Sequence, residues 1–575
     1  MHRFTTVVLL IFLMVSSRLY ANDPAKNLQQ TPTVASTPSG SELAEAYQAF
    51  HSGKFAEAAA KYRSILDKEP SSTAAQAGLV RSTLRLEKLN EALDLGTKYL
   101  TASPNDASLN AVMGEVHFRR AEMRDAEVSF RTAINLDPKQ AHAYLGLADV
   151  LDSLALHHKA YDLFVAARAI APDDPEVQRS WLSFLPRKNR IEALEKYLAG
   201  PHEESQEDTK SMFAYLAFLK SSNADHKTHP CKLTQPVERT QTDLEPLLSD
   251  ASHLVGWGLK VKLNDHVAKL LVDTGASGVL ISRRQAEKSG VVRISEDRIA
   301  GIGDSGPVTG YYGYVDHLQV GGLQFQDCVI EVSDKRSIVE DDGLIGADVF
   351  KDYVVNLDFR EMRMRLEPLP ARPDDTGPAV KSLNSEGDDE DISSAGSSDE
   401  NKSSATSDAL DLRTFVPKNI PKDRYVAPEM KSWTTVLRFG HELLVPTRVN
   451  TLPATKLFLL DTGAFNITFA TTLAAELGKM GKNEDIEIRG LSGKVEKVYR
   501  AKDATLQFGN LRQKVEDGVT FDISGISRST GTEISGILGF AMLNLMDIQI
   551  DYRDNLVNFN YDPTKLGLPD WNKKK

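Results

Sequence analysis

The chain has 575 residues, 41% of them hydrophobic, and carries a formal net charge of −12 at pH 7. This length exceeds what one hydrophobic core supports, so several domains are expected. Two cysteines, Cys231 and Cys328, are too few for a disulfide scaffold, although the two would pair in an oxidising compartment if the fold brought them together. The sequence has no basic stripe, so we predict no binding to nucleic acid.

Residues 1–21 have the pattern of a secretory signal. Arg3 gives the positive start, Thr5 to Val15 form a short apolar core, and Ala21 is a cleavage point, with a cut near Ser17 as the alternative. The apolar run is too short to span a bilayer comfortably, so no transmembrane span is expected after signal removal. We predict a periplasmic or extracellular location and a flexible polar leader over residues 22–42.

A 34-residue period follows, over residues 43–200. Four prolines recur at this spacing, each with an alanine twelve residues before it and an aromatic residue or glycine four residues after that alanine: Pro70, Pro104, Pro138 and Pro172; Ala58, Ala92, Ala126 and Ala160; Tyr62, Gly96, Phe130 and Phe164. This pattern predicts stacked helical hairpins, because it places small residues where helices cross and prolines where the second helix of each pair ends. The pattern resembles the tetratricopeptide repeat. That resemblance implies a concave surface that binds a peptide or protein partner.

Residues 201–250 are predicted to be a connector with one helix-like run, Ser211 to Lys220. The connector also contains His226, His229 and Cys231. These three residues lack a fourth ligand at zinc spacing, so we predict no metal and, for the chain as a whole, no cofactor.

Two near-copies of one motif organise the remainder of the chain. In the segments Leu270–Ser277 and Phe458–Phe465, an apolar run of strand length is followed by Asp-Thr-Gly-Ala and one further residue. Three further segments recur in step with each motif: Leu318–Gly321 with Leu506–Gly509, Gly343–Gly346 with Gly536–Gly539, and Val355–Arg360 with Ile548–Arg553. The repetition predicts two β-rich units of one design, over residues 251–370 and 429–561.

The two acids of these motifs suggest a carboxylate pair. Two carboxyl groups close enough to share a proton cannot both ionise, so their apparent pKa values split. The ionised partner then accepts a proton from a water molecule while the protonated partner polarises a peptide carbonyl. This chemistry hydrolyses a peptide bond without a metal or a covalent intermediate.

The motifs resemble those of retropepsin-like aspartic peptidases. The resemblance implies Asp273 and Asp461 as catalytic residues, and Thr274 and Thr462 as residues that tie the two loops together by hydrogen bonds. It also implies that Gly275 and Gly463 support the active loops. The family covers its cleft with glycine-bearing hairpin flaps, for which the candidates are Gly301, Gly303, Gly490 and Gly493.

Two departures from the pepsin pattern affect the predicted site. Ala276 and Ala464 stand where pepsins usually carry a hydroxyl group that bonds the acids, so we predict activity at less acidic pH than pepsins. Phe465 stands in the second copy where the first has Ser277, and its bulk should make the substrate cleft asymmetric.

The segment from Gly303 to Pro307 partly resembles a serine-protease loop. The sequence shows no activating histidine in a suitable setting, so we predict that this segment is a flap tip.

An acidic stretch separates the two units. Between residues 371 and 412 there are eleven acidic and three basic residues, a balance of −8, and we predict a disordered linker over 371–428. A short tail, residues 562–575, ends in three lysines. The sequence leaves open whether the lobes pair within one chain or with their twins on another. It also leaves the alternative of a non-catalytic envelope scaffold with inactive protease-like lobes.

Overall fold

The computed structural model describes residues 38–221, 232–235, 237–248, 254–335, 342–373, 420–450, 452–478, 480–482, 486–516, 518–562 and 564. The predicted signal, the triplet His226, His229 and Cys231, most of the acidic linker and most of the tail lie outside these residues. Within them the predicted fold class is confirmed, because an all-α repeat region precedes two all-β lobes.

The repeat region consists of paired helices that stack in chain order. The helices are α1 Pro38–His51, α2 Phe55–Lys68, α3 Thr73–Arg85, α4 Leu89–Ala102, α5 Ala107–Arg119, α6 Met123–Leu136, α7 Ala141–Ser153, α8 His157–Ile170, α9 Pro175–Trp181 and α10 Arg187–Ala199. The alanines of the 34-residue period are buried, and the ring of Phe130 lies against Gly114 and Gly146 of the neighbouring helices. First helices of successive repeats lie side by side, so they form one continuous face.

The predicted connector is more regular than the sequence suggested. It contains helix α11, Gln206–Lys220, and three short strands, β1 Lys232–Gln235, β2 Thr240–Asp243 and β3 Glu245–Leu248. Each strand joins a sheet of the protease-like region. Four-residue strands are too short for a periodic signal, which explains why the sequence did not predict them. The first helix likewise begins at Pro38, inside the predicted leader.

The first lobe is built on a nine-stranded sheet. Its further elements are β4 Leu254–Leu263, β5 His266–Asp273, β6 Val279–Ser282, α12 Arg283–Lys288, β7 Val292–Ile299, β8 Val308–Val320, β9 Leu323–Ser333, β10 Gly343–Gly346, β11 Tyr353–Asp358 and β12 Arg363–Pro368. The strand order is β1-β9-β6-β10-β5-β4-β8-β7, with β3 paired to β4. Buried aliphatic side chains of β4, β5 and β8 fill the interior of this lobe.

The second lobe repeats this plan with a ten-stranded sheet, in the order β18-β21-β24-β17-β25-β16-β15-β22-β23, with β14 paired to β15. Its elements are β13 Thr434–Thr435, β14 Leu437–Phe439, β15 Glu442–Val449, β16 Lys456–Asp461, β17 Thr468–Ala470, α13 Thr471–Leu477, β18 Gly481–Lys482, β19 Arg489–Gly490, β20 Gly493–Lys494, β21 Tyr499–Arg500, β22 Ala504–Phe508, β23 Leu511–Val515, β24 Val519–Phe521, α14 Ser524–Thr530, β25 Gly536–Gly539, α15 Phe540–Leu543, β26 Asp547–Asp551 and β27 Leu556–Asn560.

A third sheet joins the two lobes within the same chain. Its six strands run in the order β13-β27-β26-β11-β12-β2, so strands of both lobes belong to one continuous sheet. At its centre β11 pairs antiparallel with β26, with Val355 opposite Ile550. These strands contain most of the recurring segments Val355–Arg360 and Ile548–Arg553. Their pairing relates the lobes by an approximate twofold axis. The two lobes therefore pair with each other within one chain.

The repeat region docks on both lobes. The C-terminal ends of α5 and α7 reach the second lobe, where the Thr532 hydroxyl donates to the Phe118 carbonyl (2.7 Å) and the Asn555 amide donates to the Ser153 carbonyl (3.0 Å). Helix α11 packs on strand β7 of the first lobe, and the rings of Phe218 and Tyr312 lie 4.6 Å apart. Among the residues that the structure describes, no helix has the length and apolar character needed to cross a membrane.

Candidate active site

Each acid of the repeated motif stands at the end of a buried strand. Strand β5 ends at Asp273 and pairs in parallel with β10, so that Gly346 lies opposite the acid. Strand β16 ends at Asp461 and pairs with β25 in the same register, with Gly539 opposite. The two lobes therefore present their acids at the same depth and from the same kind of loop.

The two carboxyl groups meet at the interface between the lobes. Asp273 and Asp461 are 0% and 1% exposed, and their side chains are hydrogen-bonded to each other. The glycine of each motif allows this approach: a Cβ atom on Gly275 would lie 2.7 Å from the carboxyl carbon of Asp461, and one on Gly463 would collide with the carboxyl of Asp273. Only a residue without a side chain fits at either place.

Backbone amides hold one oxygen of each carboxyl group. The Gly275 amide donates to Asp273 Oδ1 (2.8 Å), and the amides of Gly463 and Ala464 donate to Asp461 Oδ1 (both 2.8 Å). These donors stabilise the charged form. Burial opposes them more strongly and raises the pKa of Asp461 to about 6. One carboxyl of the pair therefore keeps its proton into the weakly acidic range.

Two threonines interlock the loops that carry the acids. The Thr274 amide donates to the Thr462 hydroxyl and the Thr462 amide to the Thr274 hydroxyl, both at 3.0 Å. Each hydroxyl in turn donates across the interface, Thr274 to the Leu460 carbonyl (2.8 Å) and Thr462 to the Val272 carbonyl (2.9 Å). All four bonds join one lobe to the other, so they fix the separation of the carboxyl groups.

The residues after each motif differ between the lobes. The Ser277 hydroxyl donates to Asp348 (2.6 Å), which anchors the first loop to its own lobe. Phe465, at the same place in the second lobe, packs its ring against Phe540 at 6.2 Å between centroids. Phe465 also lines a small pocket together with Ile302, Ala464, Asn466, Thr468, Ile488, Phe521 and Ile537. The surroundings of the two motifs therefore differ, with a hydrogen-bonded serine in the first lobe and an apolar ring in the second.

Two further titratable residues, which no sequence motif had indicated, lie close to the motifs that carry the acids. His441 is buried and its Nε2 lies 3.2 Å from the Gly275 carbonyl oxygen. Burial raises the pKa of Glu442 well above its usual range, and the charge of Asp461 raises it further. His441 lies in the turn of the β14–β15 hairpin and Glu442 is the first residue of β15. A polar pair at the start of an apolar strand was the one signal for them in the sequence.

The predicted flap segments form two hairpin tips that contact each other. Residues 300–307 connect β7 to β8, and the second tip lies between β19 and β20. The Ser492 amide donates to the Ile302 carbonyl (3.1 Å), the Ser305 amide to the Ser492 carbonyl (2.9 Å), and the Gly301 amide to the Ser492 hydroxyl (3.1 Å). Gly303 packs directly on the Ser492 backbone and Gly493 on Ser305. The two tips are therefore joined to each other, and Ile302 of the first tip lines a small pocket with Ala464, the residue after the second Asp-Thr-Gly.

Comparison with known families identifies both parts of the chain. Residues 259–349 and 445–542 match the sequence model of the aspartyl protease family, and residues 43–107 match that of the tetratricopeptide repeat. The resemblances drawn from the motifs are confirmed: the chain carries tetratricopeptide repeats followed by two retropepsin-like lobes.

Each of the similar curated proteins matches a short part of the chain. DNA damage-inducible protein 1 of Cryptococcus neoformans var. neoformans serotype D is 28% identical over 109 residues, which are 19% of this chain and 24% of that protein. The protein of the same name from Chaetomium globosum is 27% identical over 110 residues, with the same shares. UBA domain-containing protein Mud1 of Schizosaccharomyces pombe is 28% identical over 110 residues, 19% of this chain and 32% of that protein. The chain thus covers no more than about a third of these relatives.

Solved structures that are similar to the chain include repeat proteins. A thermophilic tetratricopeptide-repeat protein of Thermus thermophilus is 21% identical, with 31% of this chain and 98% of that chain covered and a TM-score of 0.25. The MamA protein is 22% identical, with 28% and 90% covered and a TM-score of 0.20.

Proposed function

We propose that the chain is an exported aspartic endopeptidase that hydrolyses peptide bonds with a water molecule activated between Asp273 and Asp461. The observation that carries the proposal is the buried pair of hydrogen-bonded carboxyl groups, held by backbone amides and by four bonds between the lobes. A relic without activity has no chemical need for a buried acid pair, because burial of ionisable groups destabilises the fold.

The proposed reaction uses the proton that the two carboxyl groups share. The ionised carboxylate accepts a proton from the water as the water attacks the scissile carbonyl carbon. The protonated carboxyl donates its hydrogen to the carbonyl oxygen, so the tetrahedral intermediate forms without a free oxyanion. Collapse of the intermediate breaks the C–N bond, and a proton passes to the leaving amine. The dyad then returns to its state with one proton.

Three observations support the other parts of the proposal. The flaps would enclose an extended peptide over the acids, since Ile302 on a flap tip and Phe465 line one apolar pocket. The repeats would recruit a substrate or a partner protein, as stacked helical hairpins commonly do. Cys328 is disulfide-bonded, which is typical of proteins outside reducing compartments and agrees with the signal pattern of residues 1–21.

Hydrolysis of a mixed peptide library by the purified chain tests the proposed activity. We expect cleavage products, identified by mass spectrometry, that disappear when a transition-state-analogue inhibitor of aspartic peptidases is present. Cleavage that resists this inhibitor but stops with a chelator or a serine-directed reagent would contradict the proposal. A complete absence of cleavage across the acidic to neutral pH range would favour the non-catalytic scaffold.

The pH dependence of the reaction follows from the raised pKa of Asp461. The dyad needs one proton, and burial keeps that proton bound up to about pH 6. We therefore expect kcat/KM to fall about tenfold for each pH unit above that value, with the optimum on its acidic side. A second fall at low pH marks protonation of the other carboxyl. Thermal unfolding followed at each pH separates loss of activity from loss of fold, and a rate still rising above neutral pH would contradict the assignment.

Substitution of Gly303 tests whether flap closure serves catalysis. Gly303 has a φ of +132°, and a Cβ atom there would collide with the backbone of Ser492 on the opposite flap. Gly303→Ala should therefore hold the flaps apart and lower kcat/KM about tenfold to a hundredfold. Gly306→Ala is the matched control, since Gly306 also has a positive φ, +72°, but a Cβ atom there would meet nothing within 4 Å. Equal effects of the two variants would assign the loss to backbone strain alone.

A further inference from the structure

The inner face of the repeat array already holds a peptide segment, which belongs to the same chain. Residues 201–205, which we call the acidic segment, have no regular secondary structure and link α10 to α11. Glu203 is 4% exposed, and the side chain of Glu204 is 1% exposed. Pro201 and Ser205 at its ends are exposed. An extended stretch whose two acidic side chains are buried, with exposed ends, has the form of a bound peptide.

Residues from distant helices converge on the first of these acids. The Nδ1 atom of His51, on α1, lies 2.8 Å from Glu203, and Arg85, on α3, lies 3.1 Å from the same carboxylate. A second guanidinium nitrogen of Arg85 donates to the Glu203 backbone carbonyl (3.1 Å). Glu176, on α9, also faces Glu203, and its pKa is raised by burial and by the charge of Glu203. Because helices from both ends of the array meet one side chain, that side chain lies on the concave side.

The second acid is held by the helices that close the array. Arg179, on α9, lies 2.6 Å from a Glu204 carboxylate oxygen, and the Tyr197 hydroxyl, on α10, donates to the same oxygen (2.9 Å). The two adjacent glutamates therefore have separate sets of partners, with one arginine for each. Buried ion pairs contribute little net stability relative to apolar packing. The separate basic partners of the two glutamates therefore point to recognition of acidic side chains.

The inner face continues beyond the acidic segment as a cavity. Residues of α1, α2, α3 and α5 line it together with Gln140, and these include Tyr47, Ala77, Arg81, Ser108 and Ala111. The Arg81 guanidinium at its edge is bonded to Glu115, and its charge also acts on Glu203. A longer peptide than the acidic segment would therefore find both polar and apolar contacts along the same face.

We propose that this concave face is a binding groove for an extended peptide with two adjacent acidic residues, presented by a partner protein. The chain's own Glu203 and Glu204 occupy the groove until that partner displaces them. Since the acidic segment is tethered, it competes at an effective concentration on the order of millimolar. The groove lies one helix from a flap, because α11 follows the segment directly and packs on β7, with an ion pair between Arg298 and Glu207. The binding proposal does not depend on the proposed hydrolytic activity.

Binding of a labelled peptide to the full chain tests the groove. The probe is a fluorescent peptide with the sequence of residues 199–208, followed by anisotropy, and its control has glutamine at the positions of Glu203 and Glu204. Wild-type protein should bind the probe weakly. The double variant E203Q/E204Q, which removes the charges of the tethered competitor, should bind it at least about tenfold more tightly. Addition of R85A and R179A to that variant should abolish binding, whereas R63A, which breaks the exposed pair with Glu91, should not.

Two outcomes would overturn the proposal. The first is a folded double variant that binds neither peptide, or binds the acidic and glutamine peptides equally. The second is loss of cooperative unfolding in both the double variant and the single variant E204Q, which would make the segment a structural part of the array. E204Q alone keeps Glu203 and releases only the Arg179 end, so a folded E204Q should bind the probe with an affinity between those of the wild type and the double variant.

Discussion

Replacement of Asp273 by asparagine is expected to abolish hydrolysis while the chain stays folded. Asparagine has nearly the same shape as aspartate, and its amide is neither an acid nor a base near neutral pH, so the shared proton is lost. The loss of general acid–base catalysis predicts a fall in kcat on the order of a thousandfold or more. The amide also removes a buried charge, so the free energy of unfolding should not decrease greatly.

Asp461→Asn should have the same effect, and the double variant should be no worse than either single variant. In the proposed mechanism the two acids act as one unit, and the effects of residues within a catalytic unit are not additive. Asp265→Asn is the matched control because its side chain is 95% exposed, so its replacement leaves the buried pair intact. Unchanged proteolysis by either active-site variant, in a preparation free of other proteases, would refute the assigned roles.

The threonine interlock is expected to contribute strongly to stability between the lobes. The double variant T274V/T462V keeps the shape of both side chains but removes four hydrogen bonds across the interface. At about 1 kcal/mol for each bond, the free energy of unfolding should fall by about 4 kcal/mol. Urea denaturation measures this change. Activity should fall too, because the carboxyl groups lose the contacts that fix their separation.

Thr447→Val is the control for this experiment. Thr447 is fully buried in the second lobe, and its hydroxyl donates to the nearby Val445 carbonyl (3.0 Å), within its own strand. Its replacement should cost about 1 kcal/mol. If T274V/T462V costs no more than the control, the lobes are held together by the shared sheet, and the interlock has only a local role.

The elements that the sequence predicted best are those with a repeated pattern. The strand before Asp273 and the strand before Asp461 were recognisable because each apolar run ends in the same tripeptide. The structure places both in the same register with their Gly-bearing partners. The repeat helices were recognisable for the same reason, since a period of 34 residues marks small side chains at the helix crossings. A repeated pattern makes an element recognisable because the same packing arrangement requires the same kinds of residue at each copy.

Contacts between distant parts of the chain were not predictable in the same way. The bond between Ser492 and Ile302 joins two flap tips that lie far apart in the sequence, and no local pattern specifies it. Glu203 and Glu204 look like solvated charge in the sequence, because their partners His51, Arg85 and Arg179 come from three different helices. The short strands of the connector depend on the sheet edges that they join. In each case the relative placement of whole elements decides the outcome.

The six-stranded sheet that both lobes share has a consequence for how the cleft evolves. A symmetric enzyme assembled from two copies must change both halves of its site with every mutation. Here the halves are encoded separately, so under the proposed function a substitution such as that which distinguishes Phe465 from Ser277 would alter recognition of one flank of a substrate only. Selection would then be free to fit the two flanks to unlike residues, while each chain carries one pair of acids and would bind one inhibitor.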